Sequence, residues 1–220
     1  MFKLFRKKKV TIDSIKIPKF GLKEVENTKE EQAFVNQEQT LVLLKNFFDL
    51  EPDLPTIKDI DFLRKFYREL IAPNGGALIE VDLLQLKGFA TVKTIFKFPM
   101  DPKGMAYVGS ITIPFENYSY VVKVQAAEVG MTGMRDAVIL DKLMGTKEVF
   151  IGDDDEIKNW FSDPYDSEIT NPGLRNKSDA RQYDAEFPEH PLSLVRKMLD
   201  NIEQEIVFDT KLTEIAKFDK

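Results

Sequence analysis

Between Ile79 and Val124 apolar residues recur at every second position, in four runs. Ile79, Val81 and Leu83 alternate with Glu80 and Asp82, and Val92, Thr94, Phe96 and Phe98 alternate with Lys93 and Lys97. Ile111 and Ile113 share a face in the third run, as do Tyr118, Tyr120, Val122 and Val124 in the fourth. A period of two puts successive side chains on opposite faces, so each run is expected to be a strand with one buried and one partly wet face. Lys87-Gly88, Pro99 to Gly104 and Pro114 to Asn117 supply turn chemistry between the runs. Connections this short predict a four-stranded antiparallel meander.

Outside that stretch the period lengthens. Thr28-Lys-Glu-Glu31 has the form of a capping box, in which the Thr hydroxyl and the Glu carboxylate satisfy first-turn amides. Ala33, Phe34, Leu41, Leu44, Phe47 and Phe48 come next at mostly helical spacing, so a helix is expected from Thr28 to Phe48, stopped by Glu51-Pro-Asp-Leu-Pro55. Ile60, Leu63, Phe66, Tyr67 and Leu70 form the stripe of a second helix, about 57–71, ended by Pro73-Asn-Gly-Gly76. A short helix is expected after Gly130-Met-Thr-Gly133, with Thr132 as its N-cap and Met134, Val138, Ile139 and Leu143 as its apolar side. The last helix begins near Pro191 and carries Leu192, Val195, Met198, Leu199, Ile202 and Ile206. Residues 145–190 lack sustained periodicity and are rich in Asp, Pro, Asn and Ser. A connection beyond the usual ~12–15 structureless residues is expected to be functional or loosely ordered, with Trp160 and Phe187 suited to packing back on the domain.

Helices flanking an antiparallel sheet define an α+β class: a four-stranded meander packed against N-terminal and C-terminal helices, which cover its apolar face. The order helices, meander, helix resembles that of small Mog1/PsbP-like folds; the likeness is one of element order and brings no function with it. With 220 residues, 43% of them hydrophobic, the chain can bury the core of a single domain over 28–220, preceded by a basic tail and lead-in at 1–27.

Composition narrows the chemistry. The absence of cysteine excludes disulfides, a thiol nucleophile and Cys-based metal centres, and fits a cytoplasmic protein. A lone histidine, His190, excludes a multi-histidine metal site within one chain. A net charge of −6 argues against general nucleic-acid binding, which needs a basic surface. Phe2, Leu4 and Phe5 beside Arg6 to Lys9 offer weak docking on an anionic membrane but no stable anchor. No cofactor and no metal are expected.

The most unusual stretch is acidic: Asp153, Asp154, Asp155 and Glu156 precede Ile157, Trp160 and Phe161. Consecutive acids fail the EF-hand pattern, which needs alternate positions, and adjacent side chains diverge on a strand or a helix. They are expected to cap a short helix, whose N-terminal end favours negative charge. In Asp163-Pro-Tyr-Asp166 the acids suit a turn, and Tyr165 between them suits a binding knob. His190 lies between Glu189 and Pro191 and reads as a helix cap or loop tether, or as a general base if a substrate reaches it. Gly130-Met-Thr-Gly133 with Arg135 has the glycines of an anion nest, without the Lys-Ser/Thr ending of a P-loop. The candidate binding residues are therefore Thr132, Arg135, Asp163, Tyr165, Asp166 and His190, and no residue is assigned as catalytic.

Lacking a nucleophile–base constellation, the sequence points to a non-catalytic interaction module (adaptor, chaperone or immunity-type protein). It would use its acidic loop and exposed sheet face against another protein, one with a basic surface. Two other classes stay open. One is a small-ligand binder with a cavity between sheet and helices, ringed by Tyr107, Tyr118 and Tyr120. The other is a hydrolase or transferase in which Asp163, Asp166 and His190 meet in one pocket.

Overall fold

A computed structural model describes residues 10–169 and 173–220. The basic tail from Phe2 to Lys9, and with it the membrane-docking expectation, lies outside the described residues. The elements, in chain order, are β1 (Ile15–Lys16), β2 (Lys23–Asn27), β3 (Glu31–Val35), β4 (Leu41–Phe48), α1 (Ile60–Ile71), β5 (Ala77–Leu86), β6 (Phe89–Pro99), β7 (Met105–Pro114) and β8 (Ser119–Ala127). They continue as α2 (Met134–Gly145), β9 (Phe150–Ile151), β10 (Ile157–Lys158), α3 (Pro191–Glu205) and β11 (Val207–Phe208). The fold is mixed α+β. Among the described residues, three α-helices accompany one large antiparallel sheet of seven strands, ordered β2-β3-β4-β8-β7-β6-β5.

The runs of alternating residues form β5 to β8, but they belong to a sheet of seven strands, not four. The additional strands come from the segment expected to be a helix at 28–48, together with residues just before it. Thr28 does make its predicted bond, its hydroxyl accepting the Glu31 N–H at 2.9 Å, but it does so in the turn between β2 and β3. After that turn Leu41, Leu43, Lys45 and Phe47 point to one face of β4, whose register with β8 pairs Leu43 with Val124 and Phe47 with Tyr120. That pairing buries Leu43, Phe47 and Phe34 in the main core, an outcome no isolated amphipathic helix would match.

Both faces of the β5–β6 half are covered. On one face α1 packs Leu63 and Ile71 with Leu78, Val81 and Val92. On the other, α3 buries Leu192, Val195, Leu199 and Ile202 against β7 and β8. Gly109 on β7 permits the close approach of α3, since a Cβ there would lie 2.6 Å from both Leu199 Cδ1 and Val195 Cγ1. Lys93 and Lys97, expected on a wet face, are buried beneath α3 and the segment preceding it. Lys93 answers Asp200 and Glu203, and Lys97 answers Asp179 at 2.6 Å.

The helix boundaries follow local chemistry. Asp59 caps α1 by accepting the Phe62 N–H at 2.9 Å. Gly75, in the left-handed region, ends the short turn after it. α2 begins after Gly133, not after a Thr132 cap: Gly133 is the N-cap residue, with φ +73 and no side-chain cap bond. The lead-in is part of the fold, because Ile12 and Ile15 are core residues and β1 pairs with β11. Residues 145–190, as far as described, carry a small core of their own. Trp160 and Tyr183 bury against Ile139, Leu143 and Val149, with Phe187 packed beside them.

Candidate functional site

The acidic stretch forms a hairpin tip, not the cap of a helix. β9 and β10 pair Ile151 with Ile157, and the Gly152 N–H closes the turn on the Glu156 carbonyl at 2.9 Å. Asp155 takes φ +61, in the left-handed region, and Asp153, Asp154 and Asp155 are all exposed. Asp154 and Glu156 share Lys158, while Asp153 and Asp155 carry no ion pair among the described residues.

Asp163, Tyr165 and Asp166 sit on the outer side of the β5 edge. Arg68 of α1 grips Asp163 at two points, Nε to Oδ2 at 2.8 Å and Nη2 to Oδ1 at 2.9 Å. Oδ1 also accepts the N–H groups of Tyr165 at 2.9 Å and Asp166 at 3.1 Å, the expected turn. Tyr165 does not project as a knob. Its hydroxyl accepts the Val81 N–H at 2.7 Å, and the Arg64 guanidinium stacks 3.7 Å from its ring centre. Burial raises the phenol above its ordinary value. Tyr165 thus satisfies a backbone donor of the edge strand β5 that would otherwise invite a foreign strand. Asp166 is exposed and accepts the Glu168 N–H.

Arg135 and His190 meet elsewhere, at the far end of the sheet. Arg135 is fully buried, with Nε donating to the Ser178 carbonyl, Nη1 to Ser193 Oγ and Nη2 to Asp184. Such saturation makes it a clamp between α2, α3 and the segment at 178–184, not an open anion receptor. His190 caps α3, its Nδ1 accepting the Leu192 N–H at 3.2 Å, so Nε2 bears the proton and faces Glu128 at 3.5 Å. The His190 ring also meets Tyr107 edge-on at 5.2 Å. Glu128 is the residue that sequence reasoning missed. Its carboxylate accepts the Met105 and Gly133 N–H groups, both at 2.9 Å, joining β7 to the start of α2. Burial pushes its pKa up, but the bonds from His190, Gly133 and Met105 outweigh this and leave it below the ordinary carboxylate value.

Around this pair opens a groove of about 380 Å³, between the ends of β4 and β8, the β8–α2 loop and the start of α3. Leu41, Ala126, Val129, Met131, Met134 and Leu194 form its apolar walls. Met131 is 75% exposed and Val129 63%. Neither Asp163 nor Asp166 lines it, so the structure does not bring Asp163, Asp166 and His190 into one pocket. Tyr107, Tyr118 and Tyr120 ring no cavity there either; they are packed in the main core.

Two further surfaces are open. At the hairpin, Ile151 is 57% and Ile157 41% exposed, with Phe150 and Phe161 uncovered beside them. On the α1 side of the sheet, the β4–β8–β7 half carries Leu44, Lys123 and Ser110 side by side in register, flanked by Val42, Val108 and Val121. These residues are half-exposed, and a groove of about 280 Å³ runs from Val121 and Thr112 to Phe48, Leu50 and Tyr67.

No protein-family model and no curated protein sequence matches the chain. Among solved structures, a protein from Bacteroides thetaiotaomicron is similar at 10% identity and a TM-score of 0.31, over 50% of this chain and 36% of that one. The chain thus spans about a third of that protein's length. PA94 of Pseudomonas aeruginosa, a protein of unknown function, is similar at 11% identity and a TM-score of 0.34, over 56% of this chain and 82% of that one. LpqN, involved in cell envelope biogenesis of Mycobacterium tuberculosis, is similar at 12% identity and a TM-score of 0.29, over 60% of this chain and 78% of that one. Likeness at this level is partial and carries no functional argument. Among the described residues, no helix is long and apolar enough to cross a membrane.

Proposed function

We propose that the protein is a non-catalytic interaction module that docks on another protein through its acid-tipped hairpin and the open half of its sheet. The observation that carries this reading is the uncovered apolar surface of β9–β10, where Ile151 and Ile157 stand opposite each other in water. Fully burying a large aliphatic side chain contributes about 1.5–3 kcal/mol, and the free molecule forgoes roughly half of that at each of these half-exposed positions. Contiguous exposed apolar surface marks interaction sites more often than chance. Asp153 and Asp155 remain unanswered beside it among the described residues, so the complementary seat is apolar with a basic rim. Lys123, at the centre of the open sheet face, suits a partner segment that places one acid among aliphatic residues.

The test uses the full chain, D153N/D155N and I151S/I157S as baits in host lysate, with affinity then measured on the purified captured protein. The expected result is one stoichiometric partner whose Kd rises at least tenfold in each variant, about 1.4 kcal/mol, while Tm is unchanged within a few degrees. Equal affinity of all three baits would remove the hairpin from the interface. A large fall in Tm would instead make these side chains structural.

A further inference from the structure

The groove at the end of the sheet has a chemistry separate from the docking surfaces, and its occupant can be argued from charge. Its volume, about 380 Å³, lies within the ~300–1,000 Å³ range of small-molecule sites. The walls are aliphatic and thioether, and Met131 and Met134 are the adaptable kind of lining that accepts varied apolar shapes. Polar groups occur at the floor and the rim. Glu128 lies at the floor beside His190, Glu189 is exposed at the mouth, and Asn36 on the wall holds Glu38 by a bond of 3.1 Å. Against these carboxylates the lining offers, among the described residues, one cation, Arg135, which Asp184 already neutralises at 2.9 Å. His190 is engaged on both ring nitrogens, Nδ1 with the Leu192 N–H and Nε2 with Glu128. The starts of α2 and α3 contribute roughly +0.5 charge each, less than the carboxylates they face.

We infer that this groove binds a small organic ammonium ion, with its aliphatic or aromatic body against Met131, Met134 and Leu194 and its cationic head toward Glu128 and Glu189. An anion of the same shape meets the two lining carboxylates, Glu128 and Glu189, and, among the described lining residues, no free cation. The acid-tipped hairpin of a second copy is disfavoured for the same reason. Glu128 remains charged at neutral pH because three donors hold its pKa down despite burial.

Three probes with one hydrocarbon chain separate the terms: octylammonium, octanol and octanoate, titrated into the full chain carrying 13C-labelled methionine methyls. Octylammonium is expected to shift the Met131 and Met134 signals saturably, with octanol at least tenfold weaker and octanoate without effect. E189Q leaves the floor intact and should narrow the gap between ammonium and alcohol. M131K, at an exposed position, should weaken the ammonium at least tenfold without loss of Tm. Equal binding of ammonium and alcohol, preference for octanoate, or shifts spread evenly over all methionines would overturn the assignment. Met131 and Met134 signals that move with protein concentration alone would assign the groove to a second copy and overturn it as well. So would binding of a lysine-containing apolar peptide where octylammonium fails.

Discussion

Asp163 and Arg68 illustrate how a side chain with the look of a reactive group can be fully occupied by structure. The carboxylate is nearly excluded from solvent, accepts two guanidinium bonds and two backbone N–H groups, and thereby anchors the segment after Phe161 to α1. Removing one partner of a buried ion pair costs ~3–5 kcal/mol, and the quarter exposure of Arg68 moderates this. R68A is therefore expected to lose about 2–4 kcal/mol of stability in urea unfolding, while D166N, at an exposed position, stays within about 0.5 kcal/mol. The turn at Asp163 is legible from Asp-Pro alone. Its guanidinium partner, far away in sequence on α1, is not, because no local pattern encodes which cation a buried acid will meet. Glu128 escapes notice for a related reason: one glutamate after a strand has no signature until Met105, Gly133 and His190 converge on it.

At the level of elements, periodicity identifies β5 to β8 and the three helices within a few residues, because each has a face that burial sorts cleanly. It fails at 28–48. Leu41, Leu44, Phe47 and Phe48 mimic a helical stripe, yet only alternate members of β4 enter the core. The Thr28 bond is local and equally at home in a turn, so it cannot decide between helix and strand for the residues after it. The alternation in β6 is real, but its expected wet face is not wet. A period of two separates the sides of a strand without saying which will be covered, and α3 covers the lysine side with its own acids. The packing of α3 on β7 makes a sharp prediction. G109A places a methyl 2.6 Å from Leu199 and Val195, and should cost about 1–3 kcal/mol by overpacking. L199A alongside it should recover part of that loss in a double-mutant cycle on Tm, a gain that two independent sites would not produce.

For the molecule as a whole, the fold is completed by chain that the hydrophobic pattern leaves as margins. β1 pairs with β11, Lys220 accepts the Ile57 N–H through its carbonyl, and Phe218 joins Leu63 and Val81 in the core under α1. Ile206 and Leu212 are buried in the main core. A chain ending at Glu205 gives up these three side chains, together about 5–9 kcal/mol, comparable to the whole stability of a typical domain. It is expected to lack a cooperative thermal transition by calorimetry. Ile206 is legible as the end of the last helix's stripe, but the segments after it and β1 escape a sequence reading, because strands of two residues carry no period and their order is imposed by the body they close. The ordering also has a direction in time. Synthesis runs from Ile15 towards Phe218, so the first strand waits for its partner while every other element is translated. Until residues 207–218 emerge, both apolar cores stand open at one end. Closure of these two cores during synthesis therefore waits on residues 207–218, however early the strands and helices before them have formed.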